Sequence, residues 1–365
     1  MRDELLKLDI LIHDTPNILH RLHLLTNIDP ETVPLNDPKV LELFSTVDPL
    51  GVKCEDILSK TGTYGIKEFA SEWTREKLTK LKPTTFSELV AISGMSHGTD
   101  VWGDNAEVLI DSGIARLMDC AAVREDIMDE MLAHGIDRQT AYKTMESVRK
   151  GRGIPDSVIP VMKKAGIPAW YISSCQKIRY LFPRAHAICY VKAAVQLAWY
   201  KFYYPTDFYA AWMYLLTENT EPEDMFMDMK ELRRTILSLR NEEHTVFRDN
   251  DRGNALEMFL EMKARGINPM PELPDGYDTS FGANGLEKAK GLAQLLIDQG
   301  SPFIRSLRLS PKTDPDGKEF LKERLEMGLP ADEVLTLYAK YFLSGDDDEK
   351  YPWMADKRKT PNEQK

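Results

Sequence analysis

Helix starts and stops follow one another along residues 124–240 with little between them, and this punctuation commits the chain to a mainly helical fold. Residues 124–134 form one amphipathic run that ends at Gly135, a residue that terminates helices by taking the left-handed backbone. Asp137 caps a second helix that reaches Lys150 ahead of Gly151, and a short one over 156–165 stops at Gly166. Residues 170–181 and 185–203 flank Phe182-Pro183, where the proline breaks or bends the path. Pro205 starts another amphipathic helix, and 221–240 reads as a long charged one.

Ahead of this region the signals are mixed. Residues 5–11 alternate as a short buried strand does, with Lys7, Asp9 and Leu11 on one face and Leu8 and Ile10 on the other. A helix follows with Asp14 or Thr15 as cap, Pro16 in its first turn, and Ile18, Leu22 and Leu25 on one stripe. Prolines and glycines over 30–65 predict loops and short helices, and 69–82 reads as one helix pairing Phe69 with Trp73 and stopping at Pro83. Pro269, Pro271 and Pro274 mark a boundary over 268–285. Helical patterns recur at 286–299, 318–327 and 332–342, and the polar tail 346–365 is expected to be disordered.

A chain of 365 residues buries at least one substantial core and accommodates two or three domains. No run approaches the roughly 20 apolar residues that span a bilayer, and the charged start Met1-Arg2-Asp3-Glu4-Leu5 lacks a signal-peptide pattern. Cys54, Cys120, Cys175 and Cys189 are scattered, which argues against structural zinc and disulfides and for a reducing cytoplasmic location. The formal net charge of −11 argues against a nucleic-acid partner, but its distribution reverses that. Residues 143–201 hold eleven cations opposed by Glu146 and Asp156 alone, a local balance of +9. From charge alone this segment reads either as a face that steers a polyanion or as solvated helix surface.

Two segments mix small residues, imidazoles and cations in a way that a packed core does not require. In Ser93-Gly94-Met95-Ser96-His97-Gly98-Thr99-Asp100-Val101-Trp102, glycines permit close backbone approach of a ligand, exposed amides suit anionic oxygens, and Ser96, His97 and Thr99 add side-chain donors. A plain polar turn between helices is the alternative. In the second segment Lys177, Arg179 and Arg184 stand near a helix start, and His186 and Tyr190 lie four apart on one face. Cations and helix N-terminal amides suit a triphosphate, and an aromatic ring packs on a sugar or base. A core helix with a satisfied histidine is the alternative here. Arg149, Lys150 and Arg152, interleaved with Gly151 and Gly153, suit either a phosphate contact or an exposed helix end. Trp170, Trp199, Tyr200, Tyr203 and Tyr204 read as core before they read as stacking platforms.

Taken together, the Ser93–Trp102 stretch and Lys177-Ile178-Arg179-Tyr180-Leu181-Phe182-Pro183-Arg184-Ala185-His186 resemble the nucleotide-binding half of PolC-type DNA polymerase III α subunits, over about residues 5–266. The resemblance implies a mainly α, helical fingers domain over 31–268, preceded by a palm-strand remnant within 1–30, with 269–345 undetermined. It implies that Asp9 matches the family's third catalytic aspartate, a ligand in a two-magnesium site. It implies that Ser96, His97, Lys177, Arg179, Arg184, His186 and Tyr190 bind the incoming deoxynucleoside triphosphate, and that Arg149, Lys150 and Arg152 contact DNA. Primer–template DNA, the missing palm and other replisome subunits are the implied partners, with no membrane. Ile12, Met95, Arg184, Ile188 and Cys189 depart from the residues usual in the family, and 281–286 is at best a degenerate helix hairpin.

The family's paired upstream aspartates have no counterpart in this chain, so the expectation is a DNA-directed DNA polymerase fragment that is inactive by itself. A non-catalytic DNA- or nucleotide-binding module working beside a separate palm is the rival reading. A helical interaction protein requires both motif matches to be accidental.

Overall fold

The computed structural model describes residues 14–220, 224, 227–241 and 247–268. Among them every extended element is a helix or helical turn, and bridges of the β type number two, both isolated. The fold is mainly α, as the punctuation predicted. The expected strand at 5–11, Asp9 included, and every expectation beyond residue 268 lie outside the described residues.

The chain divides into two compact units, Pro30–Phe202 and a second one that joins Met1–Asp29 with Tyr203–Lys365. The helices that follow Phe202 thus group with the first helix.

In the second unit, α1 (Asp14–Thr26) buries Ile18 and Leu22 fully, two of the three residues on the expected stripe. It packs with α12 (Pro205–Glu218), whose Phe208, Tyr209 and Met213 are buried. Two more helices, α13 (Met229–Asn241) and α14 (Phe247–Ala264), pack together, and Leu232, Ile236, Leu256, Phe259 and Leu260 on them are buried. The Tyr209 hydroxyl donates to Glu261 Oε1 at 2.6 Å and accepts from Arg265 Nη1 at 3.1 Å, so this buried phenol is satisfied.

Pro30–Phe202 begins with short helices α2 (Pro38–Glu42) and α3 (Cys54–Ile57) between turns, as the proline and glycine spacing predicts. Phe44 and Phe69 meet edge to face at 5.1 Å in the core beneath them. The predicted helix over 69–82 is shorter than expected. Residues Lys67–Phe69 form a 3-10 turn, and Ser71 then caps α4 (Glu72–Leu81) by accepting from the Thr74 amide at 3.2 Å. The cap resets the helix phase, so Phe69 is buried while Trp73 is 46% exposed, and the two do not share a face.

Helix α5 (Phe86–His97) starts with a Thr85/Glu88 capping box and continues through the first half of the small-residue motif. After α6 (Glu107–Asp111) come α7 (Arg124–Ala133) and α8 (Arg138–Arg149), an antiparallel pair. Gly135 (φ 76°) closes the first and the Asp137 carboxylate caps the second. The hairpin buries Ile127, Met131, Ala141, Met145 and Val148 in one cluster, each of the larger side chains contributing about 1.5–3 kcal/mol. Two short helices, α9 (Ile159–Lys164) and α10 (Ala169–Lys177), add Met162, Tyr171 and Cys175 to that cluster. After Phe182-Pro183, the long α11 (Arg184–Tyr203) begins. Near its end the fully buried Lys201 donates to the carbonyls of Gly62 and Tyr64, both at 2.7 Å, and this anchors the helix to the loop before α4. Tyr200 is core, Trp199 is half-buried and Tyr203 is exposed.

Candidate functional site

Within Pro30–Phe202 the fold brings three distant sequence segments to one place. Thr99 and Tyr180 form an antiparallel bridge in which the Thr99 amide donates to Tyr180 O at 3.0 Å and the Arg179 amide donates to Thr99 O at 3.0 Å. The Arg124 amide donates to Phe182 O at 3.0 Å, beside a parallel bridge between Val123 and Phe182. The segment before α11 is therefore clamped between the end of α5 and the start of α7.

Two glycines allow that approach. A Cβ on Gly94 would lie 2.5 Å from Val123 Cγ1 and 2.7 Å from Ala122 O, so the α5 backbone packs directly on the start of α7. A Cβ on Gly98 would meet Val101 Cγ2 at 2.4 Å and Tyr180 O at 3.1 Å. Both glycines thus serve protein contacts, and not the ligand approach expected of a loop. The motif itself is the last turn of a helix followed by a bend, which the periodicity did not reveal.

At the centre is a group of rings. His97 stacks on Phe182 with centroids 4.6 Å apart and planes 28° from parallel. Phe182 lies nearly parallel to Tyr190 at 6.1 Å, and His97 to Tyr190 is 6.0 Å. His186 approaches the edge of Phe182 at 5.9 Å. His97, His186 and Tyr190, singled out separately in the sequence, converge on Phe182, which had been read only as a neighbour of a helix-breaking proline.

His97 is held from the other side by Glu68. Its Nε2 donates to Glu68 Oε1 at 2.9 Å and Oε2 at 3.2 Å, and Ser93 Oγ donates to the same carboxylate. The hydrogen bond to Glu68 raises the imidazole's proton affinity above its ordinary value, against the opposing effect of burial. Ser96 is half-buried, with its Oγ shielded from solvent and lacking a hydrogen-bond partner among the described residues.

The cations are more engaged than their sequence density suggests. Arg184 Nη2 donates to Asp126 Oδ1 and to Asp129 Oδ2, both at 2.7 Å, and its backbone amide donates to Glu125 Oε2 at 2.8 Å. Asp126 also accepts from the amides of Ala122 and Val123 at 2.8 Å, so one carboxylate ties the N-terminus of α7 to that of α11. Lys177 Nζ donates to the Asp104 carbonyl at 2.6 Å, and Arg179 lies 4.0 Å from Asp100. Arg149 and Lys150 share Glu146 at 2.8 and 3.0 Å. Lys192 pairs with Glu31, and Lys201 is buried. Lys143, Arg152, Lys163 and Lys164 remain exposed without an ion-pair partner among the described residues.

The basic turn after α8 joins the same neighbourhood. Gly151 (φ 70°) lies against the Arg179 backbone, where a Cβ would be 2.5 Å from Arg179 O. Gln176 brackets Ile154 with hydrogen bonds to its amide and carbonyl, both 3.1 Å. The Arg149–Arg152 turn is thus packed on the segment that carries Lys177 and Arg179. Glu68 and the carboxylate partners of Arg184 were missed in the sequence. Only the acidic first turn Glu125-Asp126 carried a signal, that of charges favourable at a helix N-terminus.

Among the described residues no three His, Cys, Asp or Glu side chains converge on one point. No described helix is long and apolar enough to cross a membrane.

Residues 11–157 match the family model for the bacterial DNA polymerase III alpha subunit finger domain. The chain is 42% identical over 272 residues to the DNA polymerase III PolC-type of Staphylococcus haemolyticus (strain JCSC1435), covering 74% of this chain and 19% of that protein. It is 41% identical over 271 residues to the PolC-type enzyme of Thermotoga petrophila, covering 74% of this chain and 20% of that protein. The chain thus spans about one fifth of the length of the curated relatives it matches.

Proposed function

Starting from a chain that carries the fingers region of a PolC-type DNA polymerase III, we propose that it contributes the nucleotide-binding part of a replicative DNA polymerase. The incoming deoxynucleoside triphosphate binds beside the His97–Phe182–Tyr190 stack, between the end of α5 and the first turns of α11. The observation that carries this reading is the convergence of two motifs, far apart in sequence, on one group of rings flanked by Lys177, Arg179 and Arg184. Rings of this kind stack on a base or sugar, and Arg184 at the start of α11, with Lys177 at the end of α10 and Arg179 between them, offers charge to phosphate.

The described residues constrain the roles of the cations. Lys177 and Arg179, exposed and held only by a carbonyl and a distant carboxylate, are the more available phosphate ligands. Arg184 is engaged through Nη2 with Asp126 and Asp129, so a triphosphate would meet its remaining guanidinium N–H groups beside two carboxylates. Arg152 leads the DNA contact, with Arg149 and Lys150 partly neutralised by Glu146.

Deoxynucleotidyl transfer belongs to the complete enzyme. In that family magnesium supplies the metal chemistry, and Asp9 is the residue of this chain that fits its ligand set by resemblance. No step is assigned to the described residues beyond binding and orienting the nucleotide. Primer extension with and without an added palm polypeptide tests this division. Extension that needs the palm, and that falls when His97 or Tyr190 is replaced, supports it.

A further inference from the structure

We propose that Glu68 is a positioning residue for nucleotide binding, one that fixes the orientation and tautomer of the His97 ring in the stack. The inference rests on the reading of the His97–Phe182–Tyr190 group as the nucleotide site, and it adds a residue from a 3-10 turn that no motif marks.

The geometry is specific. The Glu68 side chain is 10% exposed, and its two oxygens face His97 Nε2 at 2.9 and 3.2 Å. Ser93 Oγ donates to Oε1 of the same carboxylate, which restricts its rotation. Ser93 and His97 stand one turn apart on α5, so Glu68 grips the last turn of that helix at two points. A carboxylate only accepts, so Nε2 must carry its proton while the contact persists. The imidazole itself is 42% exposed and lies flat on Phe182, available to a ligand.

A buried acid that both orients an imidazole and favours its charged form prepares a cationic, planar contact in advance of binding. Its physical effect is preorganisation: the ligand need not order the ring or recruit the proton. The titratable groups around the ring are Glu68 from the turn before α4, Tyr190 from α11, and His186 across Phe182. Among the described residues Glu68 alone hydrogen-bonds it. Since the folded-state proton affinity is raised, the charged form prevails at low pH and is lost as pH rises through the folded midpoint.

The test uses the full chain, with nuclear magnetic resonance of the His97 imidazole as a function of pH and dATP as the probe. The wild-type midpoint is expected above that of a histidine in an unstructured peptide. Glu68→Gln should lower the midpoint, and Glu68→Asp should recover part of it. At pH values above both midpoints, dATP affinity of Glu68→Gln should fall about tenfold for each unit lost. An unchanged His97 midpoint in folded Glu68→Gln overturns the inference, whatever dATP does. If that variant fails to fold, a wild-type midpoint no higher than the peptide's overturns it equally. If the midpoint falls as expected but dATP perturbs neither His97 nor Tyr190 in the wild type, the proposed nucleotide site fails while the Glu68–His97 coupling stands.

Discussion

Thr99 and Tyr180 pair through their backbones, with the Thr99 amide donating to Tyr180 O at 3.0 Å and the Tyr180 amide donating back to Thr99 O at 3.3 Å. This small bridge holds together the two segments whose side chains form the candidate site, and backbone pairing tolerates no shift of register. It sets Phe182, two residues on, beneath His97. Residues that enlarge the joint should therefore affect the site before they touch any ligand.

Gly94→Ala is the sharpest such change. The added Cβ would stand 2.5 Å from Val123 Cγ1 and 2.7 Å from the Ala122 carbonyl, and the second of these is backbone that must move. A cost of about 1–3 kcal/mol is expected, as for other overpacked core positions. Chemical denaturation measures it directly. An unaltered midpoint would show that α5 and the start of α7 are not packed as tightly as described.

Much of the fold was legible because its punctuation is local. Asp137, Gly135 and Pro205 act through their own backbone geometry, and the helices they bound lie where the sequence puts them. One failure was local: Ser71 interrupts the run over 69–82 because a cap outcompetes helix continuation. The others came where tertiary contacts decide. The Ser93–His97 stretch is helical although its glycines and hydroxyls suggested a loop, since Gly94 is needed for close packing. Of the site, the residue types were legible and their partners were not. Glu68 and Asp129 reach His97 and Arg184 from elements distant in sequence, which no spacing rule encodes.

Arg184→Ala removes the cation shared by Asp126 and Asp129 and leaves those carboxylates close together. The pair is only half-buried, so a loss of about 1 kcal/mol is expected, after allowance for solvent screening. Unfolding midpoints at low and high salt check this, since screening should relieve the repulsion that remains. A variant as stable as the parent at low salt would mean that the triad does not join α7 to α11.

Glu146 gives a pH signature. The hydrogen bond from Arg149, with help from Lys150 and against desolvation, holds its carboxyl down to about 2 from the ordinary 4.5. A depressed carboxylate contributes stability that is complete above its unfolded value and lost as pH falls through its folded one. The parent should therefore lose stability between about pH 4.5 and 2, and Glu146→Gln should lose less over that window. Parallel unfolding curves for the two chains would refute the assignment.

The same substitution bears on DNA. Freed from Glu146, Arg149 and Lys150 should bind a primer–template duplex more tightly at low salt, with a steeper salt dependence. Arg152→Glu should weaken binding more than Lys150→Glu, because Arg152 has no ion-pair partner among the described residues. Fluorescence anisotropy at several salt concentrations distinguishes these changes. Equal binding by all variants would remove the basic turn from the DNA surface.

A nuclear magnetic resonance titration of the full chain with dATP tests most directly the proposed nucleotide site where the end of α5 meets the start of α11. Localised, saturable shifts at Ser96, His97, His186 and Tyr190 together are the predicted result. Shifts confined to scattered lysines such as Lys143, Lys163 and Lys164 would show nonspecific anion binding and contradict that proposal.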